Sequence, residues 1–151
     1  VVNYTIIGLD SSSPDVDNGH IGSPQHMWLG HQLDECVINN HFSIVALHHH
    51  VISIPQTGRE RNVLSDAGDI LKTLTTHEVD LVISGHKHVA NIWKINNTIV
   101  VNAGSLCSNK LRGKNKNSYI VYDISEDEIK IFLNYVGGEK LLYGKYPRNS
   151  L

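Results

Sequence analysis

The sequence predicts an α/β chain at the α+β boundary, its elements layered as an α-β-β-α sandwich. Two observations carry this expectation. The front half alternates short apolar runs with amphipathic stretches, strand–helix–strand–helix–strand, which implies parallel strands joined by right-handed crossovers. The back half changes character, to short strands separated by tight polar turns, and reads as an antiparallel meander.

Tyr4 to Leu9 is apolar and β-branched and ends at Asp10 and a Ser-rich turn, so it reads as a buried strand. Ser11 to Gly22 is a loop rich in Ser, Asp, Asn and Gly. Ser23 and Pro24 mark a helix start, Ser as N-cap and Pro in the first turn, and Leu29, Leu33, Cys36 and Val37 follow at helical spacing. Ser43 to Leu47 is a second buried strand with His48 at its end. After a loop holding Pro55, Gly58, Arg59 and Arg61, a second amphipathic helix is marked by Leu64, Ala67, Ile70, Leu71 and Leu74. Asp80 to Ser84 is a third strand, running into Gly85-His86-Lys87-His88. Ala90 to Ile95 and Thr98 to Asn102 form a hairpin across Asn96-Asn97, and Tyr119 to Ile124 pairs with Ile129 to Val136 across Ser125-Glu126-Asp127.

The chain has 151 residues, one domain's worth, and enough to bury a core without disulfides. Thirteen basic and fifteen acidic residues give a net charge of −2, which argues against a nucleic-acid duplex or a membrane as partner. Cys36 and Cys107 form no motif, which suggests a reduced, cytoplasmic setting. No apolar run has the length of a membrane span, and no signal peptide opens the chain. The sequence begins at Val1 inside a strand-like run, so a fragment or a processed chain is expected.

Ten histidines are present, several of them clustered. Asp10, the run His48-His49-His50, and His86-Lys87-His88 each fall at or just past the end of an expected parallel strand. Ligands bind at that edge of an open α/β sheet. Imidazole suits zinc, iron, manganese or nickel. Two histidines one residue apart reach a metal pair if the backbone turns sharply, and Gly85 is expected to allow the turn or a close backbone approach. Alone, this segment reads equally well as a solvated turn, and His48 as a partly buried core histidine. Together they exceed what a fold needs. Neighbouring side chains point to opposite faces, so His48, His49 and His50 cannot all be ligands. One of them is left to orient a ligand or touch substrate.

The ordered set, an apolar strand ending in His48-His49 and then Gly85-His86-Lys87-His88, resembles the last two metal-binding motifs of the calcineurin-like metallophosphoesterases. The segment Gly8-Leu9-Asp10-Ser11-Ser12, followed by Gly22, Gln25, Trp28, Leu29 and Leu33, is similar to the segment joining the two halves in cyclic-nucleotide-phosphodiesterase-like members. Val100 to Ser105 resembles the strand and turn after the Gly-His-x-His motif. The resemblance runs from about Tyr4 to Tyr135.

The resemblance implies that His48 and His86 ligate one metal and His88 the other, in a centre of two divalent or trivalent ions (Mn, Fe or Zn). His49, the neighbour left to touch substrate, is the catalytic candidate of the run, and His50 departs from the family pattern, whose members often carry Pro there. The family's upstream Asp-x-His, Gly-Asp and Gly-Asn-His motifs do not occur before these residues. The chain is therefore expected to be one domain, residues 1–151, the C-terminal part of a metallophosphoesterase domain, and inactive alone. The resemblance implies a metal-bound hydroxide attacking phosphorus, and a phosphate ester as substrate, a phosphodiester such as a cyclic nucleotide above all. Arg59 and Arg61 are candidates for substrate contact, against a solvated basic loop. Asn102 and Ser105 are candidates to fix histidine tautomers. Lys87 is expected to face away from the site, Trp28 to lie in the core, and the basic loop Lys110 to Lys116 to be solvated. The expected partner is the N-terminal half of the same enzyme or a second copy of the chain. Two alternatives stand beside this: a non-catalytic, metal-dependent binding or scaffold module on the same fold, and a mononuclear three-histidine hydrolase. The second lacks a carboxylate or base placed beside the histidines.

Overall fold

In a computed structural model, residues 3–55, 57, 63–111 and 114–148 are described. They form β1 (Tyr4–Leu9), α1 (Gly22–Ile38), β2 (Phe42–Leu47), α2 (Ala67–Thr76), β3 (Leu81–Ser84), β4 (Asn91–Ile95) and β5 (Thr98–Asn102). After these come β6 (Ser118–Ile124), β7 (Glu128–Tyr135) and β8 (Lys140–Pro147).

The near-continuous apolar runs of β2, β3 and β5 are those of strands buried on both faces. They sit at the centre of a five-stranded sheet of order β1-β2-β3-β5-β4, parallel except for β4 at its edge. Period-two alternation divides their side chains. Val45, Val82 and Val100 pack with Leu29, Leu33, Ile70 and Leu74 of the two helices. Leu81, Ile99 and Val101 point the other way, onto Ile129 and Ile131 of the antiparallel sheet β6-β7-β8. The described residues are thus layered helices, sheet, sheet, three layers of the expected α-β-β-α sandwich, with no second helical layer among them.

The strands agree with the sequence reading to within a residue or two, with one omission. β8 pairs antiparallel with β7 but reads Lys-Leu-Leu-Tyr-Gly-Lys-Tyr-Pro, mostly exposed and without alternation, so no pattern announces it. Trp28 departs from its expected place in the core, lying on the outer side of α1 and half exposed.

The start of α1 also differs from expectation. The helix begins at Gly22, after Ile21, and Ser23 caps nothing. Its first N–H groups are satisfied from far along the chain: Ile21 N and Gly22 N donate to the Asp66 carboxylate, the latter at 2.9 Å. Burial pushes this carboxyl up, but the N–H donors of Gly22 and Ile21, with His20 beside them, outweigh it and hold it below its ordinary value. Asp66 therefore acts as the N-cap of a helix it does not belong to.

The second sheet is narrower than the first. On β1, Ile6 is 70% exposed and Tyr4 46%, and on the outer face of the second sheet Tyr119, Val121 and Leu142 are exposed. No helix among the described residues covers that outer face.

Removal of the cap, Asp66→Ala, is expected to lower stability by about 1–2 kcal/mol, and Asp66→Asn by less. Urea unfolding at neutral pH measures both.

Candidate metal centre

The parallel register brings the ends of four strands to one edge. β1 and β2 end together at Leu9 and Leu47, and Ser84 of β3 lies beside Asn102 of β5. Beyond the last β2–β3 pair, Gly85 N donates to the His48 carbonyl at 3.0 Å, so the two histidine-bearing turns leave the sheet side by side. There His48 Nε2 lies 3.0 Å from His86 Nδ1, and their ring centroids are 5.0 Å apart.

The sharp turn at 85–88 is made by the histidines themselves. Lys87 N donates to Gly85 O across His86, whose φ is +71°, and His88 has φ +59°. An i-to-i+2 bond across a residue of positive φ has the form of the rare, strained γ-turn. Gly85 itself has ordinary φ, and a Cβ there would meet only the His48 carbonyl at 4.0 Å. The expected role of Gly85 in the turn is therefore corrected: it supplies an N–H to His48, and the strain lies on His86 and His88. Strain on non-glycine residues concentrates at functional sites.

Burial, and then the neighbouring imidazoles, lower the pKa of His48, and the same causes push His86 down to about 4. Both are then neutral at neutral pH, with a lone pair to offer an ion. His88 is turned so that its Nδ1 meets the Lys110 carbonyl at 3.2 Å. A carbonyl only accepts, so Nδ1 carries the hydrogen. That leaves Nε2 with the lone pair, the pattern a ligating histidine shows when a second group fixes its tautomer.

His49 lies within ligand distance of this pair: with His48 and His86 it forms a set whose potential ligand atoms are all within 4.8 Å of one another. Its hydrogen bonds, however, use both ring nitrogens. His49 N donates to Ser11 Oγ at 3.1 Å, Ser11 Oγ–H donates back to His49 Nδ1 at 2.8 Å, and His49 Nε2 donates to Asp17 O at 3.1 Å. His49 is 3% exposed, and a Cβ on Gly19 would overlap its ring. In this arrangement His49 has no free lone pair and no exposed proton. It binds the β1–α1 loop to the end of β2.

His50, in the position where the family often has Pro, is buried and stacks on His86 with centroids 6.1 Å apart. Its Nδ1 is buried without a hydrogen-bond partner. Burial, then Lys87 and the other imidazoles, push it down to about 4. Lys87, expected to face away from the site, is only 4% exposed.

The two residues expected to fix histidine tautomers bond elsewhere. Asn102, fully buried, donates through Nδ2 to Val89 O at 2.7 Å and accepts from Ser84 Oγ at 3.2 Å. It sits between strands and holds the exit of the 85–88 turn rather than a ring. Ser105 Oγ accepts from Ser108 N at 3.2 Å, closing its own loop. The tautomer-fixing groups are instead Ser11 Oγ, from the Gly8–Ser12 segment, and the backbone carbonyls of Asp17 and Lys110, which no motif marks. Asp10 shapes its turn, accepting from Ser12 N through Oδ1 at 2.9 Å. Arg59 and Arg61 lie outside the described residues.

This arrangement is a candidate metal site on the edge of a sandwich, and the chain belongs to the calcineurin-like phosphoesterase superfamily, whose domain model matches residues 21–127. It is 32% identical over 93 residues to a protein of Synechococcus sp. described as a probable cyclic nucleotide phosphodiesterase, covering 61% of this chain and 35% of that one. Its fold is similar to that of a dimetal phosphatase from Danio rerio, with TM-score 0.63 and 15% identity over 82% of this chain and 38% of the other. It is also similar to GAP50, described as the anchor in the inner membrane complex of Plasmodium, with TM-score 0.64 and 21% identity over 95% of this chain and 48% of the other. The chain thus spans about a third to a half of the length of these relatives.

The lowered histidines also fix a pH dependence. Unfolded imidazole takes up a proton near pH 6.5, whereas His50 and His86 do so only near pH 4 when folded. Between these values the unfolded chain binds more protons, so stability falls as pH drops from about 6.5 towards 4. In EDTA, thermal midpoints are expected to decline across this window, and His50→Phe to flatten the decline.

Proposed function

We propose that this chain is the C-terminal, histidine-bearing part of a metal-dependent phosphoesterase that hydrolyses phosphate esters, phosphodiesters above all. The observation that carries the reading is the pair of neutral imidazoles whose nitrogens face each other at 3.0 Å on a strained turn. Two ligands of one ion at about 2.1 Å lie about 3.0–3.4 Å apart, so the spacing of the pair suits a shared metal, which would replace the hydrogen between the two rings. His48 Nε2 and His86 Nδ1 would hold one ion, and His88 Nε2 a second. Manganese, iron and zinc all suit this donor set.

When bound, such ions polarise the phosphate and lower the pKa of an attacking water. The protein's part is positional. β2 and β3 hold the ligands on rigid strand ends, and the Lys110 carbonyl fixes the His88 tautomer. For His49 the reading favours positioning over proton transfer: its hydrogen-bond circuit keeps the β1–α1 loop against the ligand strand. Arg59 and Arg61 would meet the substrate phosphate. Further ligands come from a partner, either the N-terminal half of the same enzyme or a second copy, which would also cover Ile6, Tyr119, Val121 and Leu142.

A non-catalytic module on the same fold is the second reading, suggested by the similarity to a protein described as an anchor. Asp-x-His and Gly-Asn-His motifs upstream in the parent gene favour the enzyme, and their loss favours the module.

Titration with Mn²⁺ or Zn²⁺ tests the site. Binding is expected to weaken at least about 10-fold in His48→Ala and in His86→Ala. Unchanged affinity in both variants rejects the ligand set. Light scattering reads the uncovered faces: self-association is expected, and a monodisperse monomer that binds no hydrophobic dye counts against the partner.

A further inference from the structure

The parallel pairing of β1 with β2 sets a serine against the histidine run. Leu9 and Leu47 are the last pair of that register, and Ser11 and His49 lie two residues beyond it on the two exits. Ser11 is 1% exposed, and its hydroxyl is used twice: it accepts from His49 N at 3.1 Å and donates to His49 Nδ1 at 2.8 Å. At the other nitrogen of the ring, the Asp17 carbonyl lies 3.1 Å from Nε2. A carbonyl only accepts, so Nε2 carries the hydrogen and Nδ1 the lone pair. The loop that supplies both partners is closed at its ends, His20 N donating to Ser11 O at 3.1 Å and Ser65 N to Gly19 O at 2.8 Å.

The place of this ring matters because it is within reach of an ion. A ligand atom of His49 lies within 4.8 Å of those of His48 and His86. Three imidazoles from one chain would fill three positions of an ion. A structural ion is closed by its protein ligands, whereas a catalytic one keeps a position open for water or substrate. For His49 to join the pair, a hydrogen bond must break. Nδ1 is covered by the Ser11 hydroxyl, and Nε2 would have to lose the hydrogen that Asp17 O receives. The ring has little room to turn, since a Cβ on Gly19 would lie 2.4 Å from it.

We infer that Ser11 is a positioning residue that withholds His49 from the ion, keeping both ring nitrogens in hydrogen bonds so that the site of His48 and His86 stays open. The inference rests on the phosphoesterase reading, in which the open positions belong to substrate, water and the partner's ligands. It gives the buried serine a task that packing alone does not require. A serine that only braced the fold would, on removal, weaken metal binding or leave it alone. A serine that withholds a ligand would, on removal, strengthen it.

The test uses the full chain, isotope-labelled at its histidine ring nitrogens, titrated with Zn²⁺ and followed by nuclear magnetic resonance. Zn²⁺ is expected to move the ring nitrogens of His48 and His86 to metal-bound positions while His49 keeps its Nε2–H signal. Loss of that signal along with the other two changes keeps the ligand pair and overturns the role of Ser11. A titration that moves neither His48 nor His86 overturns the phosphoesterase reading, and the inference with it. Calorimetry then reads the variants. Ser11→Ala is expected to bind Zn²⁺ at least about 10-fold more tightly than the wild type, and the gain to disappear when His49→Phe is added. Unchanged or weaker binding in a folded Ser11→Ala, or a gain that survives His49→Phe, overturns the inference. If Ser11→Ala does not fold, the wild-type titration still decides.

Discussion

One hydrogen bond organises the site. The donation from Gly85 N to the His48 carbonyl, at 3.0 Å, carries the β2–β3 pairing past its last regular pair. Without it, two turns leaving adjacent parallel strands would diverge with the twist of the sheet. With it, His48 and His86 are delivered face to face, and the His49 and His88 circuits follow on either side. Parallel strands buried on both faces cannot slip in register without turning apolar side chains out of two cores at once. The position of the histidines is thus as fixed as the cores are.

The turn at 85–88 shows how a fold keeps an unfavourable conformation. A left-handed non-glycine residue costs on the order of 1–3 kcal/mol, and His86 and His88 are both in that state. What holds them lies outside the turn. Asn102 Nδ2 anchors Val89 O just beyond it, and the Lys110 carbonyl meets the His88 ring. Both restraints come from β5 and the loop after it. The back of the chain thus sets the geometry of motifs that sit in its middle.

Much of this was legible in sequence because it is periodic or local. The apolar runs at 42–47, 81–84 and 98–102 give strands, and the histidines that follow two of them fall on the ligand edge. What escaped was tertiary or irregular. β8 has no alternation, the serine that meets His49 lies in a segment that reads only as a linker, and the other partners of His49 and His88 are main-chain carbonyls that no motif marks. Asn102 sits where the family pattern places it, yet its amide serves the backbone. The left-handed residues of the turn are not Gly85 but the histidines after it, and Gly85 is held instead by its N–H bond to the His48 carbonyl.

The capping of α1 by Asp66 bears on the order of assembly. A helix whose first N–H groups wait for a carboxylate 44 residues away gains no cap from local structure. Its N-terminal turn closes only after β2 has laid down beside β1 and the chain has returned through the start of α2. Closing so long a loop costs entropy before any contact repays it. The N-terminal turn of α1 is thus completed by tertiary assembly and not by its own sequence, and Asp66 ties the front of the chain to the crossover that leads to the second histidine-bearing turn.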